Sequence, residues 1–593
     1  MFCFNHLLQI FTFCRYSEDI SISQTICVLK KILRKITPTK INRFNREKIF
    51  FTVKLFKYNK MLKSILLFMA ILGSSVNSYK ILILYPTTSL SHQLPAMGLA
   101  EALLKKGHQV YFAGTDKLSD DGNNNYTFID FSWLYQYYHE QAKLAPVQLN
   151  RKFSKYEFLS FADLMFKVAR KFFESDTFHK FYRQTKDEQL HFDAIAVEAI
   201  WLPFGVATSR LLSANGTVPA PPVISLATTA GGDFFGQDDS LGGIIHLSYT
   251  PSMLEGYTDR MNLFQRIENW ASHHYITGTI RRTVSELAES VFRQNFGLGG
   301  EVMADGGWPN ASLLISASNP LYFYPRLLPP NIVEVGPLHI KTPEKLPEIL
   351  QAWLDGAQKG VIYFSLGSNM KSEFLPPKVL SNFLRVFREL PTGYRVLWKC
   401  EGNAKIPGQS ENILTQKWMP QQSVLAHPQV KVFITQGGCQ SFQETVHYGV
   451  PIVGIPWFGD QETNVAKMVD AGIGARIWPQ ELESYEKIKS TLEAVLFDTR
   501  YTERMKKLSS ISRDLTARAK DNAAFWVEHV ARHGGASHLR PVTADTTYFE
   551  YFCLDIITLM LTLLFFIIYL VKCSVKYLVS LVLKTPNYKI KSS

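Results

Sequence analysis

Cysteine is scarce in this chain. Its 593 residues hold seven, and only Cys400 and Cys439 fall in the body: Cys3, Cys14 and Cys27 lie near the start, while Cys553 and Cys573 flank a long apolar run. Two thiols cannot build a disulfide framework, and without a Cys/His cluster at ligand spacing no structural zinc site is expected. The Asp-x-Asp pair that would offer two carboxylates to a divalent ion is also missing, so no metal is expected. Positive charge is thin in the body as well. The formal charge is +13, but residues 1–60 carry 12 Lys/Arg against Glu18, Asp19 and Glu47, a balance of +9 that leaves +4 for all the rest. A near-neutral body argues against nucleic acid as a partner.

What the chain does have begins at Met61. Met61-Leu62-Lys63 followed by the apolar run Ser64–Leu72 has the basic start and short hydrophobic core of a secretory signal, with Val76 and Ser78 suited to cleavage. The expected division is a basic extension over 1–60, with Met61 as the working start, and a signal peptide over 61–78. At the other end, 548–571 is apolar and long enough to cross roughly 30 Å of hydrocarbon. The segment 572–593 carries lysines and no acidic residue, which by the positive-inside rule keeps it cytosolic. A single-pass type I protein is the expected topology, its body in the lumen. The sequons at Asn125, Asn215 and Asn310 all fall on that side.

The body opens with Lys80-Ile81-Leu82-Ile83-Leu84-Tyr85-Pro86, a continuous apolar run of the kind a buried parallel strand needs. A loop over Ser89–Gln93, a helix from Leu94 to Lys106 and a strand from Gln109 to Ala113 make a βαβ start, hence a doubly wound sheet. His92 then sits past the carboxyl end of the first strand, where open α/β sheets place ligands. Its acidic partner must come from the strand His191–Glu198, which has Asp193 at one end and Glu198 at the other. Five residues at roughly 3.3 Å each separate them by about 16 Å, and only Glu198 is at the ligand edge. Helical, aromatic stretches over 133–182 and 249–296 read first as core. Asn331–Pro337, followed by Pro343 and Pro347, reads as an interdomain linker.

Beyond the linker, Gly360–Ser368 reads as a strand running into a Ser/Gly loop, Arg395–Lys399 as another strand, and Trp418-Met419-Pro420-Gln421 as a turn with an indole able to stack on a flat base. The densest signal spans Phe433–Gln461: an apolar strand, the pair Gly437-Gly438, a polar segment of helical length, and a second strand from Val450. Two glycines before a helix let backbone N–H groups approach a phosphate, and the helix presents its positive end. Glu444, one turn beyond Gln440, is placed like an acid that accepts from ribose hydroxyls, and Asp460-Gln461 adds a carboxylate and an amide for sugar hydroxyls.

This stretch resembles the signature of the membrane-bound animal UDP-glycosyltransferases, with Gly438, Ser441, Glu444, Pro451, Pro456, Asp460 and Gln461 in place. Ser91-His92, with Gly98–Leu103 and Lys106-Gly107-His108, resembles the family's first motif. The likeness covers 79–593 and implies the GT-B fold: two facing Rossmann-like domains with a cleft between them, an acceptor domain over 79–335 and a UDP-sugar domain over 336–547. It implies His92 as general base and Glu198 as its partner, where the family usually has Asp. Ser365 and Gln436 would meet the phosphates with Gly437 and Gly438, Trp418 and Gln421 the uracil, Glu444 the ribose, and Asp460 with Gln461 the sugar, with Gln440 beside them. Lys399 stands where Arg is usual, which turns a bidentate contact into a single charged one. Gln436 stands where many vertebrate members carry His, as in invertebrate members.

The activity implied is inverting, metal-independent transfer of glucose from UDP-glucose to a hydroxyl of a small lipophilic acceptor. UDP-sugar acts as co-substrate and no cofactor is needed. UDP-glucuronic acid as donor, served by Arg266, Arg281 or Arg282, is the alternative reading. So is a non-catalytic luminal nucleotide-sugar or lipophile carrier. Lys589–Ser593 is similar to the lysine-based retrieval signals of endoplasmic reticulum membrane residents, which places the protein there. Self-association is left open.

Overall fold

The computed structural model describes residues 78–584 apart from 120–121, 143–151, 214–218, 230–236, 299–304, 369 and 403–404. The expected signal peptide, the Asn215 sequon and the last nine residues lie outside the described residues.

Apolar runs too continuous to face water on either side settle as the strands of two parallel sheets. The first contains β1 (Lys80–Leu84), β2 (Gln109–Gly114), β3 (Tyr126–Asp130), β4 (Ala194–Glu198), β5 (Val223–Ala227), β6 (Ala311–Ser316) and β7 (Ile332–Glu334), in the order β3-β2-β1-β4-β5-β6-β7. Strand β1 shows the principle. Ile81 and Ile83 join the core on one face while Leu82 and Leu84 join the core on the other, and all four are fully buried. The second sheet contains β8 (Gly360–Ser365), β9 (Tyr394–Lys399), β10 (Ile413–Gln416), β11 (Val430–Thr435), β12 (Ile452–Gly454) and β13 (Gly474–Arg476), in the order β10-β9-β8-β11-β12-β13. Both are doubly wound orders. Each reverses direction at one point, between β1 and β4 in the first sheet and between β8 and β11 in the second, where such sheets open a ligand crevice beyond the strand ends.

Eight helices frame the cleft and the membrane-facing end: α1 (Leu90–Lys105), α2 (Leu202–Leu212), α3 (Leu263–Ser272), α4 (Gly278–Phe296), α5 (Cys439–Tyr448), α6 (Gln461–Asp470), α7 (Ala519–His533) and α8 (Leu554–Leu583). Three sequence expectations change. Helix α1 starts at Leu90, four residues early, with Pro95 inside it, so His92 stands in the first helical turn and not in a loop. Proline suits a first turn, and so drew the expected start toward Leu94. Ile332–Glu334, expected within a linker, is edge strand β7, paired in parallel with Leu314–Ser316. Helix α7 returns to the first sheet: Ala519, Ala523, Ala524, Val527 and Val530 share a core with Ile81, Ile83 and Leu99.

Candidate active site

The carboxyl ends of β1 and β4 bring the first two site residues together. In register Leu84 pairs with Val197, so the chain leaving β1 passes alongside Glu198. His92 Nδ1 donates to Glu198 Oε1 at 2.8 Å. Asp193, at the far edge, instead accepts from the backbone N–H of Lys80 at 2.7 Å. Two residues unseen in the sequence hold the carboxylate from behind. Trp201 Nε1 donates to Thr87 Oγ1 at 2.9 Å, and Thr87 Oγ1 donates to Glu198 Oε2 at 2.5 Å. Both follow strands at the reversal point, which was the available signal. Glu198 is almost fully buried, whereas 29% of the His92 side chain is exposed, so the imidazole is the part that opens to the cavity. Burial pulls the His92 pKa down, but the hydrogen bond and charge of Glu198, with a further contribution from Asp460, outweigh it and the pKa is raised.

The second sheet brings its residues to the same cavity, about 700 Å³ in volume. Its lining includes His92, Glu198, Gln436, Gly438, Gln440, Asp460 and Gln461. Gly437 bends the chain at φ +82°, and Gly438 caps the N-terminus of α5. Asp460 Oδ2 accepts from the Cys439 N–H at 3.2 Å and from Asn464 Nδ2 at 2.8 Å. Burial pushes the Asp460 carboxyl up against those donors and the charge of His92. Gln461 Oε1 accepts from the N–H groups of Trp457 and Phe458, at 2.9 and 3.3 Å, and its Nε2 donates to Gln436 Oε1 at 3.3 Å. Gln440 Nε2 donates across the cleft to the Thr228 carbonyl at 3.0 Å, which ties the two sheets together at the site.

Ser365, Lys399, Trp418, Gln421 and Glu444 do not line this cavity. They form a neighbouring group around the end of β8. Ser365 Oγ accepts from the Gly367 N–H at 3.3 Å. Lys399 Nζ donates to the Gly367 carbonyl at 2.8 Å and to Glu401 at 2.6 Å, and lies 5.5 Å from the centre of the Trp418 ring. Gly367 joins the two groups, for a Cβ there would come within 2.5 Å of Gln436 Nε2. Trp418 is 63% exposed. Gln421 and Glu444 meet each other: Gln421 Nε2 donates to Glu444 Oε2 at 2.7 Å, and Gln422 Nε2, which gave no signal in the sequence, donates to Oε1 at 3.1 Å. Burial pushes the Glu444 carboxyl up to about 7 in spite of these two donors. None of Arg266, Arg281 and Arg282 lines the cavity. Arg281 bonds Ser240 and lies over the Trp308 ring.

A catalytic-type imidazole–carboxylate pair facing a glycine-led helix N-terminus across a two-sheet cleft is the context in which likeness to known proteins becomes informative. The family model described as UDP-glucoronosyl and UDP-glucosyl transferase matches residues 80–588. The chain belongs to this family. It is 34% identical over 349 residues to UDP-glycosyltransferase UGT5 of Dactylopius coccus, an alignment spanning 58% of this chain and 65% of that protein, just under two thirds. It is 28% identical over 520 residues to UDP-glucuronosyltransferase 1A1 of Mus musculus, spanning 86% and 92%, and 32% identical over 411 residues to UDP-glucuronosyltransferase 2B7 of Homo sapiens, spanning 68% and 74%. Among solved structures, the glycotransferase of kitacinnamycin matches with a TM-score of 0.50 at 17% identity, over 76% of this chain and 99% of that one. CalG4, the calicheamicin glycosyltransferase, matches equally, at 0.50 and 17%, over 76% and 98%. At such identity these two show the fold, which is GT-B.

Proposed function

We propose that this family member transfers a sugar, with inversion and without a metal ion, from a UDP-sugar to a hydroxyl of a small lipophilic acceptor. The observation that carries the proposal is the 2.8 Å bond from His92 Nδ1 to a buried Glu198. It commits one ring nitrogen and leaves Nε2 to take a proton. As the acceptor oxygen attacks the anomeric carbon from the side opposite UDP, its O–H bond breaks and the proton passes to Nε2. The bond from the anomeric carbon to the diphosphate oxygen breaks with its electron pair going to UDP. Glu198 stabilises the imidazolium, and the N-terminus of α5 stabilises the departing diphosphate. In this reading Trp418 stacks on uracil, Gln421 and Glu444 take the uracil and ribose, and Ser365, Lys399, Gln436, Gly437 and Gly438 face the phosphates. Asp460, Gln461 and Gln440 lie at the sugar.

Glucose is the donor sugar we assign. Each lysine lining the cavity already has an acidic partner: Lys155 lies 2.5 Å from Glu255 and 2.6 Å from Glu268, and Lys167 lies 2.8 Å from Asp163. A glucuronate carboxylate beside Asp460 would add uncompensated negative charge. The cavity has Phe153, Phe158, Phe161, Met165 and Leu164 in its wall, which suits an apolar acceptor. We place the body in the lumen of the endoplasmic reticulum. Helix α8, 30 residues long and apolar enough to cross a membrane by length and composition, serves as its type I anchor. The test is a donor competition in membranes bearing the full chain, with a phenolic acceptor, with and without EDTA. The expected result is product from UDP-glucose at a rate unchanged by chelation. A several-fold higher kcat/KM with UDP-glucuronic acid would overturn the donor assignment, and saturable UDP binding without product would overturn the enzyme reading.

A further inference from the structure

Helix α3 is amphipathic in the wrong sense for a water-facing surface. A surface helix of a soluble protein buries its apolar stripe. Here the inward face is polar: Asn269 Nδ2 donates to the carbonyls of Leu247 and Thr250 at 2.8 and 3.0 Å, Asn269 Oδ1 accepts from the Ser252 N–H at 2.7 Å, and Ser272 Oγ donates to Glu255 at 2.8 Å. The outward face carries Leu263, Phe264, Ile267 and Trp270, continued past the helix end by Tyr275, at the 3–4-residue spacing of a single stripe. Phe264 is 82% exposed and the other four between 55% and 58%. The pattern is fixed at its start by a capping box between Asn262 and Gln265.

The stripe is tied to the base of α8. The segment leading into α8 docks beside it: Thr543 Oγ1 donates to the Gly242 carbonyl at 2.6 Å, a Cβ on Gly242 would meet Pro541 at 2.6 Å, and the Tyr548 hydroxyl bonds Asp239. Asp239 is close enough to feel the charge of His274, one turn past α3. Tyr249, four residues before the Leu254 that lines the cavity, is close enough to Tyr551 for the two hydroxyls to influence each other. Tyr548, Phe549, Tyr551 and Phe552 are themselves exposed at the start of α8, as aromatics at a bilayer interface are.

We propose that α3 lies in the interface of the same leaflet that α8 enters, with Leu263, Phe264, Ile267 and Trp270 among the lipid tails near the headgroups. Its partner is the bilayer surface. This goes beyond the transfer reading and rests only on α8 being the anchor. Combined with that reading it has a consequence. Glu268 of α3 holds Lys155, a cavity-wall residue, at 2.6 Å, so the helix is the outer wall of the acceptor cavity. An acceptor dissolved in lipid then meets the cavity at the membrane surface.

Tryptophan emission tests the proposal without turnover, so failure of the transfer reading leaves it readable. The chain has 10 tryptophans and α8 has none, and Trp270 and Trp418 are the exposed ones among the described residues. The full chain is reconstituted into phosphatidylcholine vesicles in which a fraction of the lipid carries bromine on the acyl chain near the headgroup. The expected result is partial quenching that Trp270→Phe removes and Trp418→Phe keeps. No quenching, or quenching that survives Trp270→Phe, overturns the proposal. Phe264→Asp with Ile267→Asp should also abolish quenching while UDP affinity stays within twofold. If sedimentation in detergent shows a dimer that this double variant dissociates, the stripe is a contact between copies and the proposal falls.

Discussion

Replacing Glu198 with Gln removes one charge from the site and little else. Thr87 still finds an oxygen at that position, and the amide fills nearly the same space. What is lost is a buried, charge-assisted hydrogen bond to His92 at 2.8 Å. Such bonds contribute about 1.5–3 kcal/mol, and at ~1.4 kcal/mol per factor of ten this corresponds to roughly 10- to 150-fold in kcat/KM at the pH plateau. The pH profile adds a signature that a merely structural defect would not give. In the wild type Glu198 holds the His92 pKa up against burial, and the base must be neutral to act, so activity is lost as pH falls through that raised pKa. Without the carboxylate, burial dominates and the pKa falls. The acid limb should therefore move to lower pH while the plateau drops. Initial rates with UDP-glucose and a phenol across the acid limb and the plateau test both. A plateau within twofold of wild type, or a limb displaced to higher pH, refutes the assigned pairing.

Other changes probe the nucleotide side. Trp418→Ala removes an exposed ring, so Tm should hold while the Kd for UDP, read by calorimetry, rises by the roughly 1–3 kcal/mol of one base stack, about 5- to 150-fold. Gly437→Ala places a Cβ at φ +82° and in collision with Val465 Cγ2, so denaturant unfolding should show a loss of about 1–3 kcal/mol. The Glu444 carboxyl, raised to about 7 by burial, gives stability that is full below its unfolded pKa of roughly 4.3 and is lost as pH rises through the folded value. The Tm of Glu444→Gln should therefore gain on that of wild type as pH rises across that window, and parallel curves would contradict the assignment.

The sequence made the strands legible because parallel, doubly covered strands must be apolar throughout: Lys80–Leu84 and Val430–Thr435 could be little else. Strand direction was enough to choose Glu198 over Asp193, since it decides which end of β4 faces the cleft. Thr87 and Trp201 were not legible, because the bonds that join them to Glu198 and to each other cross 111 and 114 residues of chain and neither residue type announces a role. Helix α7 showed its Ala/Val spacing, but periodicity says that a face is buried and not against which sheet. Residues 331–337 looked like a linker because proline and glycine punctuate them, although three of them add an edge strand. The contact of Gln421 with Glu444 escaped notice because two residues read as separate ligand contacts can equally satisfy each other.

The central claim is that His92 is the general base of a sugar transfer. It is tested most directly by single-turnover transfer from UDP-glucose with His92→Ala, alongside UDP binding to the same preparation. The account predicts a chemical step slowed by about 10²–10⁴-fold, as for other lost acid–base groups, with UDP affinity unchanged within twofold. A chemical step as fast as wild type would contradict it.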